Sequence, residues 1–216
     1  EIFFNEILAQ DEITQLLEPK VLSNAKTFDK DGENNFKCFN RNAELNKKRD
    51  LAEDTITDNL IIKGNNLLAL HSLKNEFAGK VKLIYIDPPY NTGSDSFKYN
   101  DSFNHPSWMT FMYNRLNVAK TLLKKEGVIF LQFDDNESAY AKILCDDVFG
   151  RENYCNQIAI ETNSAFGFKS TSDSLFKQAG HILFYAKDKK HLTLNKSFIE
   201  VLLLVFESTF FTITAQ

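Results

Sequence analysis

Apolar residues follow two kinds of spacing along this 216-residue chain. Intervals of three and four residues place side chains on one face of a helix, whereas short continuous apolar runs are typical of buried strands. The first spacing predicts helices in residues 1 to about 30, 67–77, 108–125 and 137–149. The second predicts strands in residues 60–65, 81–86, 128–133, 157–162 and 181–186.

Strands and helices alternate through the middle of the chain, an order that predicts an α/β fold with a mainly parallel sheet flanked by helices. The strand at 60–65, the helix after it and the strand Val81 to Ile86 form a predicted βαβ unit, whose two strands we expect to pair in parallel. The chain then divides into three parts: a helical segment and polar linker with one short helix (1–58), the α/β domain (59–190) and an abruptly apolar tail (191–216).

One strand ends in an unusual sequence. Val81 to Ile86 is followed by Asp87-Pro88-Pro89-Tyr90, and neither proline can donate a hydrogen bond to a strand ladder. Asp87 and Tyr90 are therefore predicted on a stiff loop at the carboxyl end of a strand, which is where open α/β sheets bind ligands.

The chemistry of this loop suits a planar base that carries an amino group. The Asp87 carboxylate and the Pro88 carbonyl provide two acceptors beside the ring of Tyr90, and together they can bind an exocyclic amine. The alternative is a strand-end turn in which Asp87 caps the next element and Tyr90 covers the core.

Composition adds little to this picture. The net charge of −4 and the pI of about 5.6 lack the basic signature of a nucleic-acid binder, although a local basic groove is still compatible with them. Cys38, Cys145 and Cys155 follow no disulfide or metal-site spacing, which indicates reduced thiols and a cytoplasmic protein. No secretory signal opens the chain, and Glu200 and Glu207 interrupt the tail too often for a membrane span.

The loop sequence resembles the catalytic motif of methyltransferases that act on amino groups of DNA bases. A longer series of segments resembles, in order and spacing, the modification subunit of type III restriction–modification systems. This resemblance covers roughly residues 59–190 and rests on Asn59–Leu70, KVKLIYIDPPYNTG (80–93), Ser107–Met109, Asn114–Leu116, Gly127–Phe130, Asp134–Glu137 and Phe149–Gly150.

The resemblance implies a partial Rossmann-like methyltransferase fold and a site-specific adenine-N6 DNA methyltransferase that uses S-adenosylmethionine. It implies double-stranded DNA as substrate, with a restriction subunit and a second modification subunit as partners. The catalytic residues would be Asp87, Pro88, Pro89 and Tyr90, with Tyr90 stacked on a flipped-out adenine. We expect no metal site, because methyl transfer from a sulfonium needs no Lewis acid.

The same resemblance suggests further site residues. Asp87 and Asn65 would contact the cofactor, although Asn65 stands where the family usually has an acid, and it can equally cap the following helix. The DNA contacts would be Tyr90, Asn91, Lys98, Trp108 and Lys169, with Trp108 alternatively a packing residue.

Three helix-end predictions accompany these assignments. Ser107 is expected to cap the helix of residues 108–125, and the basic Lys120, Lys124 and Lys125 are expected to face its C-terminal dipole. Asp135 is expected either to support the target-base pocket or to cap the helix that follows it.

The cofactor half of the fold is missing from the sequence. Binding of S-adenosylmethionine in such folds normally needs a Gly-rich turn after a strand. The 8 glycines of this chain include no G-x-G. We therefore expect a catalytic half that is truncated or frameshifted after residue 190 and inactive alone. Two alternatives are a cytosine-N4 methyltransferase, which more often has Ser where Asp87 stands, and a non-catalytic fragment that binds DNA or a partner.

Overall fold

The computed structural model describes residues 14, 18, 23–89, 105–161 and 179–195. The predicted N-terminal helix and the apolar tail lie almost entirely outside these residues. Short 3₁₀ turns at Arg151–Asn153 and Lys189–His191 join the main elements. The helices and strands are β1 (Lys26–Asp29), β2 (Gly32–Asn35), α1 (Ala43–Lys48), α2 (Asn66–Phe77), β3 (Val81–Ile86), α3 (His105–Leu122), β4 (Leu123–Phe133), α4 (Ser138–Phe149), β5 (Tyr154–Glu161) and β6 (Ala179–Ala186).

The described part of the central sheet has four strands in the order β3-β4-β6-β5. β3 and β4 are parallel and are connected through α3, whereas β4 with β6 and β6 with β5 are antiparallel. The predicted α/β class is therefore confirmed. The described sheet is mixed, because β5 and β6 follow each other as an antiparallel pair after the last helix.

One face of this sheet, the helix-covered face, forms the core. Side chains alternate along a strand, so Ile129, Leu131 and Phe133 of β4 point to the same side, and all three are buried. Trp108 and Leu144 from α3 and α4 join them in one apolar cluster. Each fully buried side chain of this size contributes about 1.5–3 kcal/mol relative to an exposed one.

The opposite face, the open face, carries a second set of apolar residues. Phe130 and Phe184 stack on it with their ring centroids 4.6 Å apart, and Tyr85 keeps 48% of its surface exposed. The described helices pack on one another and on the helix-covered face, and the core cluster includes no described residue of the open face. The open face comprises Leu83, Tyr85, Phe130, Gln132, Ile182 and Phe184.

Residues 36–58 are docked against the helices, which corrects the prediction of a linker. The Asn40 amide N–H donates to Asp58 Oδ2 at 2.7 Å, and Arg41 contacts Glu76 of α2 at 3.1 Å. Glu76 also accepts from the Ile56 backbone N–H at 2.9 Å. The predicted short helix is α1, but the exposed β1–β2 hairpin was missed, although an Asp-Gly pair marks its turn.

The predicted strand at 60–65 is wrong. Only isolated bridges occur at Ile61 and Gly64, and the strand parallel to β3 is β4. Leu60 and Ile62 still pack against the core, while 81% of Ile61 is exposed. The apolar pattern here belongs to an irregular segment. Two of its three apolar side chains are partly buried against the core without any strand ladder.

The helix-end predictions also need correction. α3 begins at His105, so Ser107 lies inside its first turn and does not cap it. Leu122 ends this helix, and Lys124 lies in β4 with its amine donating to the Arg49 carbonyl at 2.9 Å. Lys125 likewise lies in β4. Lys120 does lie in the last turn of α3, whereas Lys124 and Lys125 lie beyond the helix because β4 begins five residues before its apolar run at Val128.

Thiol reactivity should report whether this core forms in the 216-residue chain. Cys145 is completely buried in α4, and burial, followed by the charge of Asp146, raises the pKa of its thiol. Cys38 is exposed. In native buffer we expect iodoacetamide to modify Cys38 and leave Cys145 intact, as measured by peptide mass spectrometry, with Cys145 reacting only in denaturant. Equal native rates at the two thiols would contradict the packing of α4.

Candidate active site at the carboxyl edge of the sheet

Parallel pairing brings the ends of β3 and β4 to the same edge. β3 ends at Ile86, which lies opposite Leu131 of β4. Asp87, the next residue, therefore lies close to the end of β4 at Phe133. Because β6 is antiparallel to β4, its early residue His181 lies opposite Phe133 at this edge. We call this the carboxyl edge.

The Asp87-Pro88-Pro89 loop presents its acid to solvent. Asp87 is exposed, Pro88 is buried and Pro89 is partly buried. The two prolines have fixed φ angles and no N–H, which ends the ladder and anchors the loop. A carboxylate held in this way is accessible to a ligand that donates hydrogen bonds. Tyr90 lies outside the described residues.

Trp108 holds this loop in place. Its indole Nε1–H donates to the Pro89 carbonyl at 2.9 Å, and its ring meets Phe133 of β4 edge-on with the centroids 5.9 Å apart. The side chain has 0% exposure. This burial does not support the DNA contact that we expected and favours the alternative, a packing and positioning residue, because α3 carries the indole into the core.

Tyr85 is a neighbour of Asp87 that the sequence analysis missed. Its hydroxyl donates to Gln132 Oε1 on β4, which links the two parallel strands on the open face. Burial first, and then the negative charge of Asp87, raise the pKa of Tyr85. The alternation of the apolar strand could have indicated it, since Tyr85 points away from Ile84 and Ile86.

A second turn follows β4 on the same edge. The Asp134 carboxylate accepts from the backbone N–H of Asn136 at 3.0 Å and from its side-chain amide at 2.7 Å. Asp135 Oδ1 lies 3.3 Å from His181 Nε2. The alternative in which Asp135 caps α4 is wrong, because Glu137 occupies the cap position. Asp135 is instead directed across β4 toward β6.

Asn65 is the N-cap of α2. Its side-chain oxygen accepts from the backbone N–H groups of Leu67 at 3.0 Å and Leu68 at 3.2 Å. Only three residues separate α2 from β3, so the helix runs back along the strand and its start lies toward the carboxyl edge. The structure thus shows the capping alternative, and a cofactor contact by Asn65 stays a prediction.

Asn91, Lys98 and Lys169, which we predicted to contact DNA, lie outside the described residues, and their roles stay predictions. The elements that flank them are informative. β5 ends at Glu161, which pairs with Ala179 at the start of β6, and α3 begins near Pro89. The segments that contain these three residues therefore leave from and return to the carboxyl edge.

The described ranges contain neither a metal-binding cluster nor a membrane-crossing helix. Within them, no group of three or more His, Cys, Asp or Glu side chains is arranged to hold a metal ion. No helix in the same ranges has the length and apolar character needed to cross a membrane.

Comparison with known proteins identifies the family. A model of a DNA methylase family matches residues 81–204, beginning at the first residue of β3. This chain belongs to that DNA methylase family. The match contains the Asp87 loop, Trp108 and the second turn of the carboxyl edge.

Individual relatives agree with this family. The chain is 49% identical over 196 residues to a probable type III restriction-modification enzyme HindVI Mod subunit of Haemophilus influenzae, covering 90% of this chain and 25% of the relative. It is 37% identical over 179 residues to the EcoPI Mod subunit of Escherichia phage P1, covering 67% and 27%. The chain thus spans about a quarter of the length of these curated relatives.

Two solved structures are also similar to part of this chain. A DNA modification methylase from Thermus thermophilus in complex with S-adenosyl-L-methionine has a TM-score of 0.47 at 12% identity, over 64% of this chain and 57% of that one. The cytosine-N4-specific PvuII DNA methyltransferase has a TM-score of 0.47 at 12% identity, over 62% and 51%.

The anchoring role of Trp108 can be tested by stability. Trp108→Phe keeps an aromatic ring against Phe133 but removes the donor to Pro89, and we expect the free energy of unfolding to fall by about 0.5–1.5 kcal/mol because the partly buried Pro89 carbonyl loses its partner. Trp108→Ala should lower it by about 3–5 kcal/mol. Urea unfolding followed by far-ultraviolet circular dichroism measures both. A Phe variant as stable as the native chain would contradict the anchor.

Proposed function

We propose that this chain forms the target-base half of a site-specific DNA adenine-N6 methyltransferase of the type III restriction–modification kind. The observation that carries the proposal is the exposed Asp87 carboxylate on a proline-fixed loop at the carboxyl end of a parallel strand. The family match and the Mod relatives support it. The acting protein would be cytoplasmic and bind double-stranded DNA.

The target adenine would reach Asp87 only after it leaves the double helix, at a cost of a few kcal/mol. Asp87 and the Pro88 carbonyl then accept hydrogen bonds from its N6 amino group, while Tyr90 stacks on the ring. These contacts orient the nitrogen lone pair toward the methyl donor. Formation of the N–C bond would break the sulfur–methyl bond of the donor, whose electron pair stays on sulfur as a neutral thioether. The extra proton on N6 would then leave to Asp87 or to water.

S-adenosylmethionine, when bound, supplies a methyl group on a positively charged sulfur. The residues present fit the neighbourhood of such a group only in part. Asp87 offers an exposed negative charge at the carboxyl edge, but the sequence contains no G-x-G turn. We propose that Asn65 lines the cofactor side of the pocket, and that the main cofactor-binding part belongs to the length of the Mod relatives that this chain does not span.

Most of the rate enhancement would come from positioning. Holding two reactants in line can contribute roughly 7–11 kcal/mol, and the rigid Asp87 loop suits this purpose. Asn91, Lys98 and Lys169 would contact the DNA from segments that start and end at the carboxyl edge. A restriction subunit and a second modification subunit are the proposed protein partners, by analogy with the relatives.

Asp87 can be tested in a chimera in which this chain replaces the matching quarter of the Haemophilus influenzae relative. We expect Asp87→Ala to lower methyl transfer to adenine by at least 10²–10³-fold, the order of magnitude for loss of one preorganised hydrogen-bonding group. DNA affinity should change little, because phosphate contacts dominate it. Radiolabelled methyl transfer and a gel-shift assay provide the two measurements.

The matched control is Asp31→Ala, which removes an exposed carboxylate from the β1–β2 turn. It should leave transfer unchanged. Unchanged turnover in Asp87→Ala would refute the assignment, and transfer to the N4 of cytosine instead of adenine would correct the substrate.

Cofactor binding separates this chain from an entire enzyme. We expect calorimetry to detect no binding of S-adenosylmethionine to the 216-residue chain at up to about 1 mM, the upper end of the usual range of KM values of enzymes. The chimera should bind it. Micromolar binding by the chain alone would mean that residues outside any Gly-rich turn form the cofactor pocket.

A further inference from the structure

Two contacts hold the carboxyl edge, one on each side of β4. Trp108 fixes the Asp87 loop through Pro89 at 2.9 Å. His181 of β6 fixes the turn after β4 through Asp135 at 3.3 Å. The first contact is buried, whereas the His181 and Asp135 side chains are 26% and 47% exposed.

The sheet register sets the distance between these two sides. β4 lies between β3 and β6, and neighbouring strands are about 4.8 Å apart. Asp87 follows the residue opposite Leu131, and His181 is opposite Phe133. Their backbones are therefore separated by roughly 10 Å, two strand spacings, with the end of β4 between them. The turn that follows β4 therefore lies about one strand spacing, roughly 4.8 Å, from the backbone of the Asp87 loop.

The turn after β4 is contacted by a neighbouring strand as well as by its own residues. The hydrogen bonds described above for Asp134 stay within the turn, because both come from Asn136. Asp135 connects the turn to a different element, because His181 is held in the β4–β6–β5 ladder opposite Phe133 and Ala159. An imidazole on a strand has few rotatable bonds, so its contact restrains the turn.

We propose that His181 is a positioning residue that acts through Asp135 to hold the turn at Asp134–Asn136 as the second wall of the target-base pocket, opposite the Asp87 loop. This inference rests on the proposed function. The flipped base would be bounded by the loop that Trp108 anchors and by the turn that His181 anchors.

A loss of this support should affect turnover more than DNA binding. Phosphate contacts dominate DNA affinity, whereas a displacement of about 1 Å at the reacting group can lower the rate by about 10²-fold. In the chimera we expect His181→Ala to lower kcat by about 10- to 100-fold and to change the Kd for DNA by less than about 3-fold. His181→Gln keeps an N–H donor for Asp135 and should recover most of the turnover.

A second measurement uses the 216-residue chain and needs no activity. The backbone order parameters of the turn at 134–136, from ¹⁵N relaxation, should be close to the rigid value of about 0.85 in the native chain. They should fall below about 0.6 in His181→Ala and return in His181→Gln. Asp135→Ala should match His181→Ala, and the double variant should be no worse than either single one, because both remove the same contact.

The chain contains a matched control pair. His191 Nδ1 lies 2.8 Å from Asp188 Oδ2, in the segment after β6 has ended and away from the carboxyl edge. His191→Ala should leave the order parameters of the 134–136 turn and kcat unchanged. An equal effect of His191→Ala would show general destabilisation and overturn the specific role of His181.

The outcomes separate the two proposals. A turn that stays rigid in His181→Ala, or that loosens while kcat is unchanged, would overturn the positioning role. A native chimera that transfers no methyl group would refute the proposed function and with it the pocket wall, whereas the relaxation data would still decide whether His181 holds the turn.

Discussion

Pro88 and Pro89 impose the constraint on which the site depends. Neither residue has a backbone N–H, so the ladder of β3 has to end at Ile86. The chain leaves the sheet there, with Asp87 exposed and Pro88 buried. The indole N–H of Trp108 donates a hydrogen bond to the Pro89 carbonyl. The carboxylate that we propose to accept hydrogen bonds from the target base is thus presented on backbone that is restrained from both sides, as precise binding requires.

The mixed sheet gathers the other parts of the site. Because β6 is antiparallel to β4, its beginning lies beside the end of β4, and His181 meets Asp135 of the turn that follows β4. A further parallel strand at this position would have placed its amino end at the far side of the sheet. The antiparallel pair β5–β6 therefore explains why residues far apart in sequence share one edge with Asp87.

The open face carries apolar side chains that the described helices do not cover. Phe130 and Phe184 stack there, and Tyr85 and Ile158 keep 48% and 39% of their surfaces exposed. Within the described residues, β3 is also paired on one side only, and an unpaired edge is a template for association. The chain spans about a quarter of the length of its Mod relatives. The cofactor-binding part that we propose for the remaining length could pack on the open face and on the unpaired edge of β3.

Local patterns were sufficient for much of the fold. The apolar run before Asp87 and the helical spacing after Glu137 predicted β3 and α4 to within one residue, because each depends on neighbours in sequence. Strand ends were less predictable: β4 begins at Leu123, within residues whose polar side chains suggested a helix end. The strand expected at 60–65 failed for the related reason that a ladder needs a partner strand, which no local pattern specifies.

The candidate site divides in the same way. The sequence by itself determined that an acid follows a buried strand and that two prolines stop the ladder, since both are consequences of the residue types and their order. The cap that Asn65 forms on α2 is also local, because its partners are two and three residues away. Only the tertiary structure decided the polar contacts between distant elements: Trp108 binds Pro89, and Asp135 meets His181. The physical reason is that a hydrogen-bonding side chain takes whichever partner the packed elements bring within about 3 Å, and that choice is made by the sheet order and register.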